Sequence, residues 1–337
     1  MKEDAKLNAV LNGKTGCAFW LMRQAGRYLP EYRVLREKAG SFWKICSDPK
    51  LAAEATLQPV NRFGFDAAIV FSDILTIPDA LGYSVVFEKT GLRLNALEPS
   101  KPIVFDQRTL NRLAFTYEAI SIVRSKLNAR TTLLGFAGAP WTLACYMAAG
   151  RSDEGKAAKL WAYRDAAGFS RLIDTLADGI AEHLIAQLKA GADAVQLFDS
   201  MAGGLAEPLF VQYLVRPTKK IVTRVHAAVP GAKIIGFPRG ATLRGYGMYA
   251  EQTGVDVVSL DTAVPITWAT ANLSCLLQGN LDPLALVVGG EALEVGVTRI
   301  LDAVHGRPHI FNLGHGILPE TPIENVEKLV SLVRSVG

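Results

Sequence analysis

Short apolar runs rich in β-forming residues recur at 17–22, 66–71, 132–137, 193–198, 233–237, 255–260, 275–279 and 308–312. Most are separated by long stretches with helical periodicity, at 51–62, 107–127, 169–189, 210–228, 284–304 and 322–336. Strands that alternate with helices pair in parallel, and a continuously apolar strand is one covered on both faces. Eight such units predict an α/β chain folded as a closed (β/α)8 TIM barrel. An open doubly wound sheet is the competing arrangement, because strand order is not written in sequence. The 337 residues would suit two average domains, yet barrels of this kind run as long as single units. One domain over 1–337 is expected, with 1–13 as a flexible N-terminal extension.

Half the residues are hydrophobic and a fifth are charged, so a large packed core is expected. The net charge of +4 is mild, and outside one early cluster Lys and Arg are spread without interleaved aromatics, which argues against nucleic-acid binding. Cys17, Cys46, Cys145 and Cys275 lack paired metal spacing and read as buried, reduced thiols. Residues 1–6 carry no apolar signal core, and no apolar run approaches the ~20 residues of a membrane span. A cytosolic protein with no membrane partner follows as the expectation.

Each apolar run leads into a segment of unusual chemistry. Among these are Arg23-Gln-Ala-Gly-Arg27-Tyr28, Ser72-Asp73, Gly138-Ala-Pro-Trp-Thr142, Asp199-Ser200, Pro238-Arg239, Gly279-Asn280 and Gly314-His315-Gly316. In a barrel these carboxyl ends share one mouth, where such folds hold their active sites. Arg23, Arg27, Arg33 and Arg36 fall within fourteen residues. Arginine keeps its charge and presents planar paired donors, so the cluster suits a ligand with several carboxylates or phosphates. Asp73 ends a run too apolar to leave a carboxylate without donors. It is either a cap for the following helix or an acceptor for ligand N–H groups and a stabiliser of cationic charge. Asp199 reads more simply as a cap. His315 is the histidine that sits in a strand-end loop. The Gly279-Asn280 and Gly314–Gly316 loops also fit a phosphate site of the barrel kind, although no lysine stands at a strand exit for Schiff-base chemistry.

These segments resemble the uroporphyrinogen decarboxylase family. Residues 20–32 and 135–143 are similar to its two signatures, and 69–75, 196–200, 278–283 and 312–316 follow in family order. The resemblance implies a barrel with its cleft at the strand carboxyl ends, a homodimer, and conversion of uroporphyrinogen III to coproporphyrinogen III without metal or organic cofactor. It places the catalytic aspartate on Asp73 and the substrate-binding arginines on Arg23, Arg27 and Arg36. The active-site tyrosine, serine and histidine fall on Tyr146, Ser200 and His315. Within that reading Asp73 stabilises a protonated pyrrole, Arg23 orients the reacting acetate with a part in proton delivery, and Arg27 and Arg36 bind carboxylates. Tyr146 and Ser200 also have ordinary structural readings, and Trp20 and Trp141 read as packing residues. Met201, Arg239 and Thr262 depart from forms common in the family. Two other functions compete: methyl transfer on zinc, for which Pro238-Arg239 offers no ligand, and tetrapyrrole carriage, for which an aspartate at the cleft floor has no use.

Overall fold

The computed structural model describes residues 5–88, 91–95, 97 and 103–335. Its strands are β1 (Gly16–Phe19), β2 (Ala67–Ile69), β3 (Val85–Glu88), β4 (Gly91–Leu94), β5 (Thr132–Gly138), β6 (Ala194–Asp199), β7 (Lys233–Pro238), β8 (Val257–Ser259), β9 (Leu276–Leu281) and β10 (Pro308–Leu313). Eight of them form one parallel sheet in the order β1-β10-β9-β8-β7-β6-β5-β2, and each predicted apolar run holds one. β3 and β4 pair as a separate antiparallel hairpin that the apolar runs do not include.

The seam between β1 and β2 distinguishes a closed barrel from an open sheet. There the Asp66 N–H donates to the Phe19 carbonyl at 2.9 Å, and the Asp66 carboxylate accepts the Phe19 N–H at 2.8 Å. The Asp66 carbonyl in turn accepts from Thr132 at the start of β5, at 3.0 Å. One side chain therefore completes a junction too short for a ladder, and the barrel closes. Asp66→Ala leaves the Phe19 amide without its side-chain acceptor and should cost about 1–3 kcal/mol in equilibrium unfolding. A loss within about 0.5 kcal/mol, ordinary for a surface change, would show that the seam holds without it.

Local chemistry sets the helix ends. The Asp48 carboxylate caps the amides of Lys50 and Leu51, Pro49 opens the helix Pro49–Phe63, and Gly64 ends it at φ 64°. The helix Ala166–Lys189 starts three residues before the predicted 169–189, because Asp165 accepts from Gly168 at 2.9 Å. It buries Phe169, Ile173, Leu176, Ile180 and Leu184 on one stripe against the barrel. The predicted helix 284–304 is divided at Gly289, whose φ of 70° stops the first turn. A π-helical turn, Val211–Val215, interrupts 210–228 just before Pro217, which has no N–H to continue the ladder.

Inside the barrel, Trp20, Met22, Leu134, Ile235, Val257 and Ile310 form one packed layer, and the outer strand faces pack on the helices. Leu7, Val10 and Leu11 of the helix Lys6–Leu11 join that inner layer, while Asn8 accepts from Thr132 at 3.0 Å. Where a flexible extension over 1–13 is expected, this helix instead plugs the strand-start end of the barrel. Residues 1–4 lie outside the described residues.

Candidate active site

Because the barrel strands run parallel, the exits of β1, β2, β5, β6, β7 and β10 open on one face. Asp73 lies four residues past β2. The approach is held by the Val70 N–H donating to Leu134 at 2.9 Å and the Phe71 N–H donating to Thr56 Oγ1 at 2.8 Å. One carboxylate oxygen of Asp73 accepts from the Leu75 amide at 2.9 Å, and its carbonyl accepts from the Thr76 hydroxyl at 2.8 Å. That carboxylate oxygen closes a turn just ahead of the helix Thr76–Ala80, whose N-cap is Leu75 and which has no side-chain cap. The other accepts from no protein donor among the described residues. Enclosure in the cleft raises the Asp73 carboxyl above the ordinary carboxylate range, opposed by the Leu75 amide and the charge of Arg23.

Arg23 is exposed at the β1 exit with φ 60°, left-handed backbone that a non-glycine residue seldom adopts. Its charge acts on three groups of the site: Asp73, Tyr146 and His315. Tyr146 is half-buried on the helix Pro140–Ala149, and burial and the Asp73 charge raise its phenol. His315 packs its ring near Phe237, centroids 6.5 Å apart, at the β10 exit. Burial first, then Arg23 and Arg239, lower it to about 3, so it is neutral at physiological pH.

The arginine cluster divides by helix phase. Arg33 is exposed and turned back, its Nη1 donating to the carbonyls of Arg27 at 2.9 Å and Tyr28 at 3.0 Å. Arg36 lies one turn after buried Tyr32 and stacks over Phe42, 5.7 Å from the ring centroid. Phe42 and Tyr32 both contact Phe71, so Arg36 rests on an aromatic floor beside the Asp73 strand exit. Its Nη1 is buried without a partner. Arg36 and Asp73 both act on the Cys46 thiol, which places Arg36 within electrostatic reach of the same cleft, and Arg27 and Arg36 both act on Tyr32. Glu31, the one acid within 23–36, is taken by Arg62 at 2.7 Å.

Ser200 follows Asp199, whose Oδ1 accepts from the Thr142 hydroxyl at 2.6 Å; that hydroxyl accepts from the Met201 amide at 3.2 Å. Asp199 is fully buried, which pushes its carboxyl up to about 7. Rather than capping the helix after β6, it pins the β6 exit to the helix Pro140–Ala149 that follows β5, and Ser200 sits between two fixed neighbours. Arg239 reaches the Ser200 carbonyl at 3.4 Å from across β7. Arg239 is a cation of the mouth that the sequence placed at a strand exit and marked as a departure, without giving it a role. Trp20 and Trp141 are wholly buried, as packing residues.

Around the glycine loop after β10, the first amide and the one just past the loop are already taken. The Gly314 N–H donates to Leu281 at 2.7 Å and the Ile317 N–H to Met22 at 2.9 Å. Gly314 also presses on the Thr262 backbone so closely that a β-carbon would overlap it. Among the described residues, no three His, Cys, Asp or Glu side chains are grouped to hold a metal ion. A cavity of about 330 Å³ lined by Leu11, Cys275, Arg307 and His309 lies at the strand-start end, away from these residues.

The sequence model of the family described as Uroporphyrinogen decarboxylase (URO-D) matches residues 3–336. A protein named uroporphyrinogen decarboxylase from Rhizorhabdus wittichii is 51% identical over 338 residues, covering 98% of each chain. One of the same name from Brucella anthropi is 50% identical over 335 residues, again covering 98% of both. Among solved structures, a methyltransferase from Methanosarcina mazei superposes with TM-score 0.81 over 98% of this chain and 97% of its own, at 20% identity. That likeness concerns the fold.

Proposed function

This chain belongs to the uroporphyrinogen decarboxylase family and decarboxylates uroporphyrinogen in tetrapyrrole biosynthesis, and we propose that it does so through Asp73 and the cations around it. Losing CO2 from an acetate arm requires a place for the electron pair of the breaking C–C bond. A pyrrole protonated at its α-carbon supplies it. The pair enters the cationic ring as CO2 leaves; protonation of the resulting methylene and loss of the α-proton then give a methyl group and restore the pyrrole. The substrate is its own electron sink, and the reading needs no metal or organic cofactor.

The observation that supports this reading best is the environment of Asp73. It is enclosed, tethered through one oxygen, open at the other and faced by the charge of Arg23. Such a carboxylate can accept pyrrole N–H groups and offset the positive charge that develops on the ring, a preorganised electrostatic role. Arg23 orients the reacting acetate and takes part in proton delivery, and Arg27 and Arg36 bind carboxylates. Tyr146, Ser200 and neutral His315 supply hydrogen bonds to the arms. The reading extends to uroporphyrinogen III as substrate, coproporphyrinogen III as product, and a homodimer working in the cytosol. No helix among the described residues is long and apolar enough to cross a membrane.

An anaerobic assay of uroporphyrinogen consumption tests the reaction. Stepwise loss of the acetate carboxyls, ending at coproporphyrinogen, is the expected course, and substrate left intact would overturn it. Arg36→Ala removes a charged partner worth about 1.5–3 kcal/mol, roughly ten- to more than a hundredfold, and should act chiefly on KM. Arg36→Lys should recover little of this, because a point charge replaces a stacked planar fork. An unchanged KM in Arg36→Ala would remove it from the binding set.

A further inference from the structure

We propose that the end of β10 and the loop leaving it are a positioning device for Arg23, acting through Asn312 and Gly316; this rests on the role given to Arg23 above. Arg23 holds a left-handed backbone conformation that its own side chain does not favour, so neighbouring groups must maintain it. Met22, the residue before it, is fixed at both ends of its peptide unit by the β10 exit. Its N–H donates to Asn312 Oδ1 at 2.8 Å, and its carbonyl accepts from Ile317 at 2.9 Å. The same Asn312 oxygen accepts from the Leu313 amide at 2.8 Å, so two donors determine which way the side chain faces. Its Nδ2 is left buried without a partner, an orientation that serves Met22 at the expense of the amide itself.

Gly316 acts on the side chain. A β-carbon there would overlap Cγ and Cδ of Arg23 and stand 2.9 Å from its Nε. Gly316 itself has no left-handed backbone, so alanine fits its main chain, and the three atoms its β-carbon would meet first all belong to the Arg23 side chain. The absent side chain is therefore a slot in which the arginine lies as it reaches toward the acetate. Asn312 sets where the Arg23 backbone starts, and Gly316 sets the path its stem takes. Both are positioning residues: they act through Arg23 and not on the substrate.

The test is a double-mutant cycle read as kcat and KM for coproporphyrinogen formation, with Tm measured on every variant. Gly316→Ala should lower kcat by about ten- to a hundredfold with KM and Tm little changed, the scale of a displaced catalytic group. In an Arg23→Ala background the stem is gone, and Gly316→Ala should cause no further loss. Asn312→Ala serves as the second arm: its Tm falls because two amides lose their acceptor, but its effect on kcat should likewise vanish when Arg23 is absent. Gly316→Ala matching the parent enzyme, or losing equally in both backgrounds, would overturn the clamp while leaving the role of Arg23 intact. Arg23→Ala matching the parent enzyme would instead remove the role of Arg23, and the clamp with it.

Discussion

Asp73→Asn is expected to lower kcat by about two to three orders of magnitude, the roughly 2.7–4 kcal/mol that a preorganised transition-state stabiliser supplies. KM should change less, because the arginines that hold the carboxylate arms are untouched; with its one oxygen on Leu75, asparagine loses the charge that opposes the ring cation and the acceptor on the open side. Stability should move the other way. The folded carboxyl is raised by burial, so whatever it contributes is fully present below its unfolded pKa and is lost as pH rises through the folded value. At neutral pH an ionised Asp73 is therefore a burden on the fold. Asparagine removes it and still accepts from Leu75, so Tm at neutral pH should be equal to or above that of the parent protein, and the difference should fade in acid. Near-normal kcat would refute the charge role; a collapsed Tm would show that the carboxylate holds structure.

The largest stability loss is expected inside the barrel. Gln278 accepts from Trp20 Nε1 at 3.0 Å, and its own amide donates to Gln196 Oε1 at 3.2 Å and Ser259 Oγ at 2.9 Å. All four residues are fully buried. Gln278→Leu preserves much of the volume but strands the indole N–H and the Gln196 carbonyl, each at about 1–3 kcal/mol, so roughly 2–6 kcal/mol should vanish from the unfolding free energy. Activity should fall with it, since Trp20 leads directly into Met22 and Arg23. A loss below about 1 kcal/mol would mean that the network relaxes or admits water.

The contrast between these two sites shows where sequence reading succeeds. Parallel strands covered on both faces leave continuous apolar runs, so all eight barrel strands were legible, and so was the mouth their exits define. Asp73 was visible because a carboxylate ending such a run must have partners; that one oxygen is held by a local turn and the other stays open depends on where Leu75 falls in space. The Gln278 network was invisible. A glutamine in an apolar run has no signature for a partner that lies 82 positions away in Gln196. β3 and β4 are four residues each and form no part of the barrel, too short for a pattern to stand out.

Two further features have readable signals in the sequence. Tyr32, Leu35 and Arg36 share a helical face that Arg33 does not, which separates the stacked arginine from the one turned onto backbone carbonyls. Leu7, Val10 and Leu11 recur at helical spacing in the segment expected to be flexible, and that spacing is what buries them beneath the barrel. The β1–β2 closure was beyond reach, because it depends on a single aspartate at the right height on the seam.

A structure of the enzyme crystallised anaerobically with coproporphyrinogen tests the central claim most directly. The open oxygen of Asp73 should stand within hydrogen-bond distance of pyrrole N–H groups, about 2.7–3.2 Å, with the Arg23 guanidinium on the same face of the macrocycle. A tetrapyrrole bound elsewhere, or one whose ring nitrogens turn away from Asp73, would contradict the account.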